Sequence, residues 1–126
     1  MFGRAAVRGY LSSLGAETHE WLLALYLNKD ARLVALHTVA RGDSSSCPVP
    51  MEHLINCAKA LEAAGFVLVH NHPSGRRQPS MQDVRVTRDL AQLARNSNIM
   101  LLDHFIIAGD ELYNDLQQVC SWYWEE

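Results

Sequence analysis

Apolar residues along the chain fall into runs whose spacing changes, and each change marks an element. WLLALYL, from Trp21 to Leu27, is short and continuous, which suits a buried strand. The polar turn Asn28-Lys29-Asp30 leads into a second run, Leu33 to Val39, so the pair predicts a hairpin. Pro50 fits the first turn of a helix in which Leu54, Ala58 and Leu61 recur at helical spacing; it is expected to run to about Ala64, closed by Gly65. Phe66 to Val69 is again continuous and leads straight into His70, as an interior strand does when its last residues reach a sheet edge. Ser80 can cap a helix whose Val84, Thr87, Ala91 and Ala94 share one face and which ends near Asn96-Ser97-Asn98. Met100 to Ile107 reads as another strand, followed by a Gly109-Asp110 turn and a short strand around Leu112. A short helix up to about Leu14 is expected before the first strand. Strands and helices alternate, so the pattern predicts a mixed α/β domain.

Size and charge narrow what such a domain does. At 126 residues, 48% hydrophobic and 20% charged, the chain is expected to form one domain over residues 1–126, with a single site. No apolar run reaches the length of a membrane span, and the opening MFGRAAVRGYLSSLG is too polar for a signal peptide, so a cytoplasmic protein is expected. Cys47, Cys57 and Cys120 form no CxxC pair and read as free thiols. The net charge of -3 disfavours a nucleic-acid partner, whose phosphates the overall field would repel.

The chemistry concentrates in His70-Asn71-His72-Pro73-Ser74-Gly75 and, after a short stiff loop, Ser80-Met81-Gln82-Asp83. Residues two apart in an extended segment point to one side, so His70 and His72 can offer two imidazoles to one point while Asn71 faces away. Asp83 lies in the first turn of the next helix, and the loop from Pro73 to Pro79 can fold that turn back over the histidines. Two imidazoles and a carboxylate leave one position of a tetrahedral zinc open for water, the arrangement of catalytic sites. Bound zinc lowers the pKa of water to about 7 and so generates a nucleophile. Ser80-x-x-Asp83 also has the form of a helix capping box, which by itself needs no metal.

These residues have the His-x-His-x7-Ser-x2-Asp pattern of the JAMM (JAB1/MPN) metalloprotease site. The chain more closely resembles the RadC family of bacterial JAB-domain proteins, through Glu20-Trp21, LALYLN, HNHPSG, PSMQD with Thr87, and LLDHFIIAG. The resemblance implies a JAB/MPN domain, similar in fold to cytidine deaminases, with a mixed sheet flanked by helices and a zinc ion on His70, His72 and Asp83. It further implies Glu20 as general acid and base, with Glu17 a weaker candidate, and Ser80 as a donor to the oxyanion. The implied activity is zinc-dependent hydrolysis of a peptide or isopeptide bond, with a protein or peptide substrate that extends to a ubiquitin-like tail.

His104 matches a stretch typical of RadC relatives, and either approaches the metal or bridges strands. Arg76 and Arg77 are candidates to meet a substrate carboxylate. Trp122, Tyr123 and Trp124 are expected to close the core or a homodimer contact. The tripeptide His-Asn-His is not the dispersed triad of HNH nucleases. RadC relatives usually carry Gly-Thr and a His-Pro-Arg-Glu-like stretch where this chain has Arg41-Gly42-Asp43-Ser44-Ser45-Ser46 and Pro48-Val49-Pro50-Met51-Glu52, so substrate preference does not carry over. The helix-hairpin-helix region of longer relatives is expected to lie outside this chain. Two other function classes remain open at this stage: a zinc-bearing MPN-type binding module without turnover, and a DNA-associated protein, which would bind DNA with steep salt dependence.

Overall fold

The computed structural model describes residues 20–42, 50–76, 78–109 and 111–113, with backbone alone at 39–42. The helix expected up to Leu14, Glu17, Cys47, Arg77, Cys120 and the cluster Trp122, Tyr123 and Trp124 lie outside the described residues.

A hairpin comes first. Strand β1 spans Glu20–Leu27 and pairs antiparallel with β2, Leu33–Gly42. Their turn is built by Asn28, whose Oδ1 accepts from the backbone N–H of Asp30 at 2.9 Å and of Arg32 at 3.0 Å. An asparagine side chain that mimics a backbone turn in this way sets the register of both strands. Helix α1, Met51–Ala60, then leads to β3, Gly65–Asn71; helix α2, Met81–Asn96, crosses over to β4, Met100–Ala108; and β5, Glu111–Tyr113, finishes the sheet. The sheet order is β2-β1-β3-β4-β5. Among the described strands only β3 and β4 are parallel, and a helix rather than a tight turn connects them.

The sheet is mixed, and β1 and β3 are buried on both faces, which is why their sequences run apolar without alternation. On one face Leu22, Ala24, Tyr26, Phe66 and Leu68 pack against Leu54, Ile55 and Ala58 of α1 and Leu90, Ala91 and Ala94 of α2. The other face carries Leu23, Leu25, Val67, Val69, Phe105 and Ile107. His70 continues the row of Phe66 and Leu68, so it emerges on the helix side at the end of β3. This is the link from pattern to site: strand periodicity puts an imidazole under the first turn of α2. No helix among the described residues is long and apolar enough to cross a membrane.

Two details differ from the sequence reading. Helix α1 ends at Ala60, short of Ala64, and Gly65 opens β3 rather than closing the helix. Glu62 takes the left-handed conformation (φ 55°), with Ala63 N–H donating to Ala58 O at 2.9 Å and Glu62 N–H to Lys59 O at 3.1 Å. These two bonds form a Schellman motif, and they offset the cost, about 1–2 kcal/mol, of a non-glycine residue there. Helix α2 ends the same way at Asn98 (φ 59°), with Ile99 N–H reaching Ala94 O at 2.9 Å. Gly65 answers a different need: a Cβ on it would lie 2.7 Å from the carbonyl oxygen of Met100 on the neighbouring strand.

Candidate metal centre

The three expected donors do converge. His70 is 3% exposed, held between Leu22 of β1 and Ile106 of β4. His72 follows one residue after β3, yet its backbone N–H still donates to Ile107 O at 2.8 Å, which keeps that segment extended beside β4. The two rings therefore point to one side, with His70 Nε2 and His72 Nε2 2.9 Å apart. Asp83 arrives from the first turn of α2, its Oδ2 3.0 Å from His72 Nε2 and its Oδ1 3.3 Å from His70 Nε2.

The capping box and the metal-ligand geometry coexist. Ser80 Oγ accepts from Asp83 N–H at 3.0 Å, and Ser80 N–H donates to Asp83 Oδ2 at 2.9 Å. The box fixes the rotamer of Asp83, and the fixed carboxylate then faces the imidazoles. One motif thus builds the helix start and aims the third donor.

Electrostatics make this cluster a place for a cation. Burial alone would raise the Asp83 pKa, but the adjoining His70 and His72 imidazoles and the hydrogen bond from Ser80 N–H hold it well below the usual carboxylate range. Burial alone would lower the His72 pKa; the hydrogen bond to Asp83, donation to the Arg76 carbonyl, and the charges of Asp83 and Glu20 outweigh it and raise it. His72 Nδ1 lies 2.8 Å from Arg76 O, which accepts its proton, so a neutral His72 turns a bare Nε2 lone pair to the cleft. A bare nitrogen beside an anionic carboxylate calls for a positive charge between them, as a proton or as a metal ion. Two nitrogens on a tetrahedral zinc stand about 3.3 Å apart. The observed 2.9 Å needs only a small opening, so these residues fit the ion.

Glu20 opens β1 on the helix side of the sheet. It lies two residues before Leu22, the β1 residue paired with His70, and its charge is among those that raise the His72 pKa. Ser80 stands at the rim, exposed, with its Oγ lone pair engaged by Asp83 N–H and its own proton available to a ligand. Arg76 is exposed and contributes its carbonyl oxygen to the site.

Sequence reasoning missed Asn71. It does face away from the imidazoles, but it is fully buried, and its Oδ1 accepts from Trp21 N–H at 2.7 Å. This bond replaces a ladder hydrogen bond where β1 and β3 part, and it anchors the residue next to Glu20. A polar residue at the end of an apolar strand was the available signal. His104 lies behind His70 rather than among the donors, with His104 Nε2 2.8 Å from His70 Nδ1.

Comparison with known proteins agrees with this architecture. Residues 3–118 match the family described as RadC-like JAB domain. The chain is 40% identical to a UPF0758 protein of Cupriavidus necator over 87% of its length and 49% of that protein. It is 40% identical to a UPF0758 protein of Thiobacillus denitrificans, over 83% of this chain and 47% of that one. It is 36% identical to the UPF0758 protein YfjY of Escherichia coli, over 82% and 64%. The chain spans about half the length of the curated relatives it matches. With a match over nearly its whole length, on a mixed sheet of this order, the chain belongs to the RadC-like JAB domain family.

Proposed function

We propose that this chain is a zinc-dependent hydrolase of peptide or isopeptide bonds, with His70, His72 and Asp83 as metal ligands, Glu20 as general acid and base, and Ser80 as oxyanion donor. The observation that carries the reading is the convergence of two imidazole nitrogens and a carboxylate, 2.9 to 3.3 Å apart, with the charge of a second carboxylate, Glu20, acting on His72. A zinc ion held there supplies Lewis acidity, which acidifies water and polarises a carbonyl.

The remaining work falls to side chains. Glu20 receives a proton from the attacking water on its carboxylate and delivers it to the leaving amine, a task open to a carboxylate outside the ligand set. The Ser80 hydroxyl accepts from Asp83 N–H and so directs its own proton to the carbonyl oxygen as negative charge develops there. The three donors lie at a strand end beside a loop, and an extended ubiquitin-like tail is the substrate suggested by analogy with the JAMM proteins. The cytoplasm is the compartment this reading assumes, and a homodimer is compatible with it.

The test uses the full chain loaded with zinc, a library of peptides and of lysine-linked isopeptides, and Glu20→Gln at equal metal content. Cleavage by the wild type that Glu20→Gln abolishes supports the reading. A wild type without stoichiometric metal, or a Glu20→Gln that cleaves as well as wild type, ends it. A Glu20→Gln that keeps its zinc beside an inert wild type points instead to a binding module.

A further inference from the structure

On the buried side of the cleft, three side chains form a continuous line of hydrogen bonds. His104 pairs with Leu68 across the β3–β4 ladder and so faces α2, where it is 2% exposed. Its Nε2 lies 2.8 Å from His70 Nδ1, and its Nδ1 lies 2.8 Å from Thr87 Oγ1. Thr87, fully buried, donates its hydroxyl proton to the backbone carbonyl of Asp83 at 2.7 Å.

Counting protons gives this line a direction. The hydroxyl of Thr87 has one proton, already given to Asp83 O, so Oγ1 accepts from His104, and the His104 proton sits on Nδ1. His104 Nε2 is then a lone pair and accepts from His70 Nδ1. With its proton on Nδ1, His70 keeps Nε2 bare toward the cleft, the tautomer a ligand must have. The reverse order would put a proton on His70 Nε2 and block it.

We propose that His104 and Thr87 are positioning residues: a buried relay that locks His70 in its metal-binding tautomer and ties the helix turn bearing Asp83 to the strand bearing His70. This rests on the metal reading above. Packing alone does not require a histidine here, since a leucine would fill a similar volume; what it would take away is the partner of the buried His70 Nδ1. Partners one layer behind a ligand act on the metal through the ligand's orientation and basicity.

The experiment combines long-range proton–nitrogen NMR of the imidazoles in the full chain, with and without zinc, and zinc affinity by competition with a chelator. Variants are His104→Leu, His104→Gln, Thr87→Val and Thr87→Ser, with circular dichroism as the check on folding. We expect wild-type His104 and His70 both protonated on Nδ1. His104→Leu and Thr87→Val weaken zinc binding about 10- to 100-fold. Thr87→Ser restores it, and His104→Gln recovers part, because its amide oxygen can stand where His104 Nε2 accepts. A wild-type His104 carrying its proton on Nε2 overturns the relay, as does wild-type zinc affinity in both His104→Leu and Thr87→Val. If those variants do not fold, the wild-type spectra decide. A wild type that binds no zinc ends the metal reading alone, and the metal-free spectra then decide the relay.

Discussion

Replacing Asp83 by asparagine separates the two jobs that meet at this residue. Asparagine keeps an amide oxygen for Ser80 N–H and leaves the Ser80 Oγ to Asp83 N–H bond in place, so the capping box survives. Loss of a cap costs about 1 kcal/mol, and here it is largely retained, so what the metal-free variant loses is the stability that the Asp83 charge draws from its imidazole neighbours. The charge facing His70 and His72 is lost, however, and with it the anionic ligand. Even groups one layer behind a ligand cost 10- to 100-fold in affinity, so removal of the carboxylate itself should cost more than about 100-fold. At a zinc concentration about 1,000 times the wild-type Kd, bound metal stabilises the fold by about 4.1 kcal/mol; a 100-fold weaker site gains only about 1.4 kcal/mol. The difference of about 2.7 kcal/mol corresponds to roughly 10 °C in melting temperature for a domain of this size. Thermal unfolding with zinc and with chelator reads this directly. An Asp83→Asn variant with the full wild-type zinc shift would show that the aspartate is a helix cap and nothing more.

Two further outcomes follow from the electrostatics and the packing. Without metal, the raised His72 pKa contributes stability that is complete below its ordinary value of 6.5 and is lost as pH climbs through the folded value. The depressed Asp83 pKa contributes stability present above its ordinary 3.8 and lost as pH falls toward the folded value. His104, which burial holds well below 6.5, acts in the opposite sense until pH has passed that ordinary value, so urea midpoints in chelator should decline only as pH climbs beyond 6.5 toward the folded value of His72, whereas zinc affinity tightens as His72 gives up its proton; a His72→Gln variant whose midpoint declines there as steeply as wild type counts against the His72–Asp83 pair. Gly65→Ala forces a methyl to within 2.7 Å of the Met100 carbonyl and should lower stability by about 1–3 kcal/mol, visible in the same urea titration, and a neutral result would mean that β3 and β4 part easily.

The core elements were legible because their burial is written in their spacing. Continuous runs announced β1 and β3, and a helical face at Thr87, Ala91 and Ala94 announced α2. The convergence of His70, His72 and Asp83 was legible for the same reason, since His-x-His on a strand and an aspartate in a first turn have fixed directions. What escaped depended on partners distant in sequence. Gly65 looked like a helix cap because the carbonyl that demands a glycine there belongs to Met100. Asn71 looked like a spacer because its partner, the Trp21 amide, is on another strand. The direction of the Thr87, His104 and His70 hydrogen bonds exists only once three elements are packed together.

One consequence concerns how such a protein can diverge. The three donors and both relay residues come from the single unit β3–α2–β4, between His70 and His104, whereas Glu20 comes from the outlying hairpin. The two parts meet at a pair of strand tips clamped by Asn71. On the proposed reading, a single codon change at Glu20 would silence the chemistry and leave the three donors whole, a short path for a descendant lineage from hydrolase to scaffold, and a short path back.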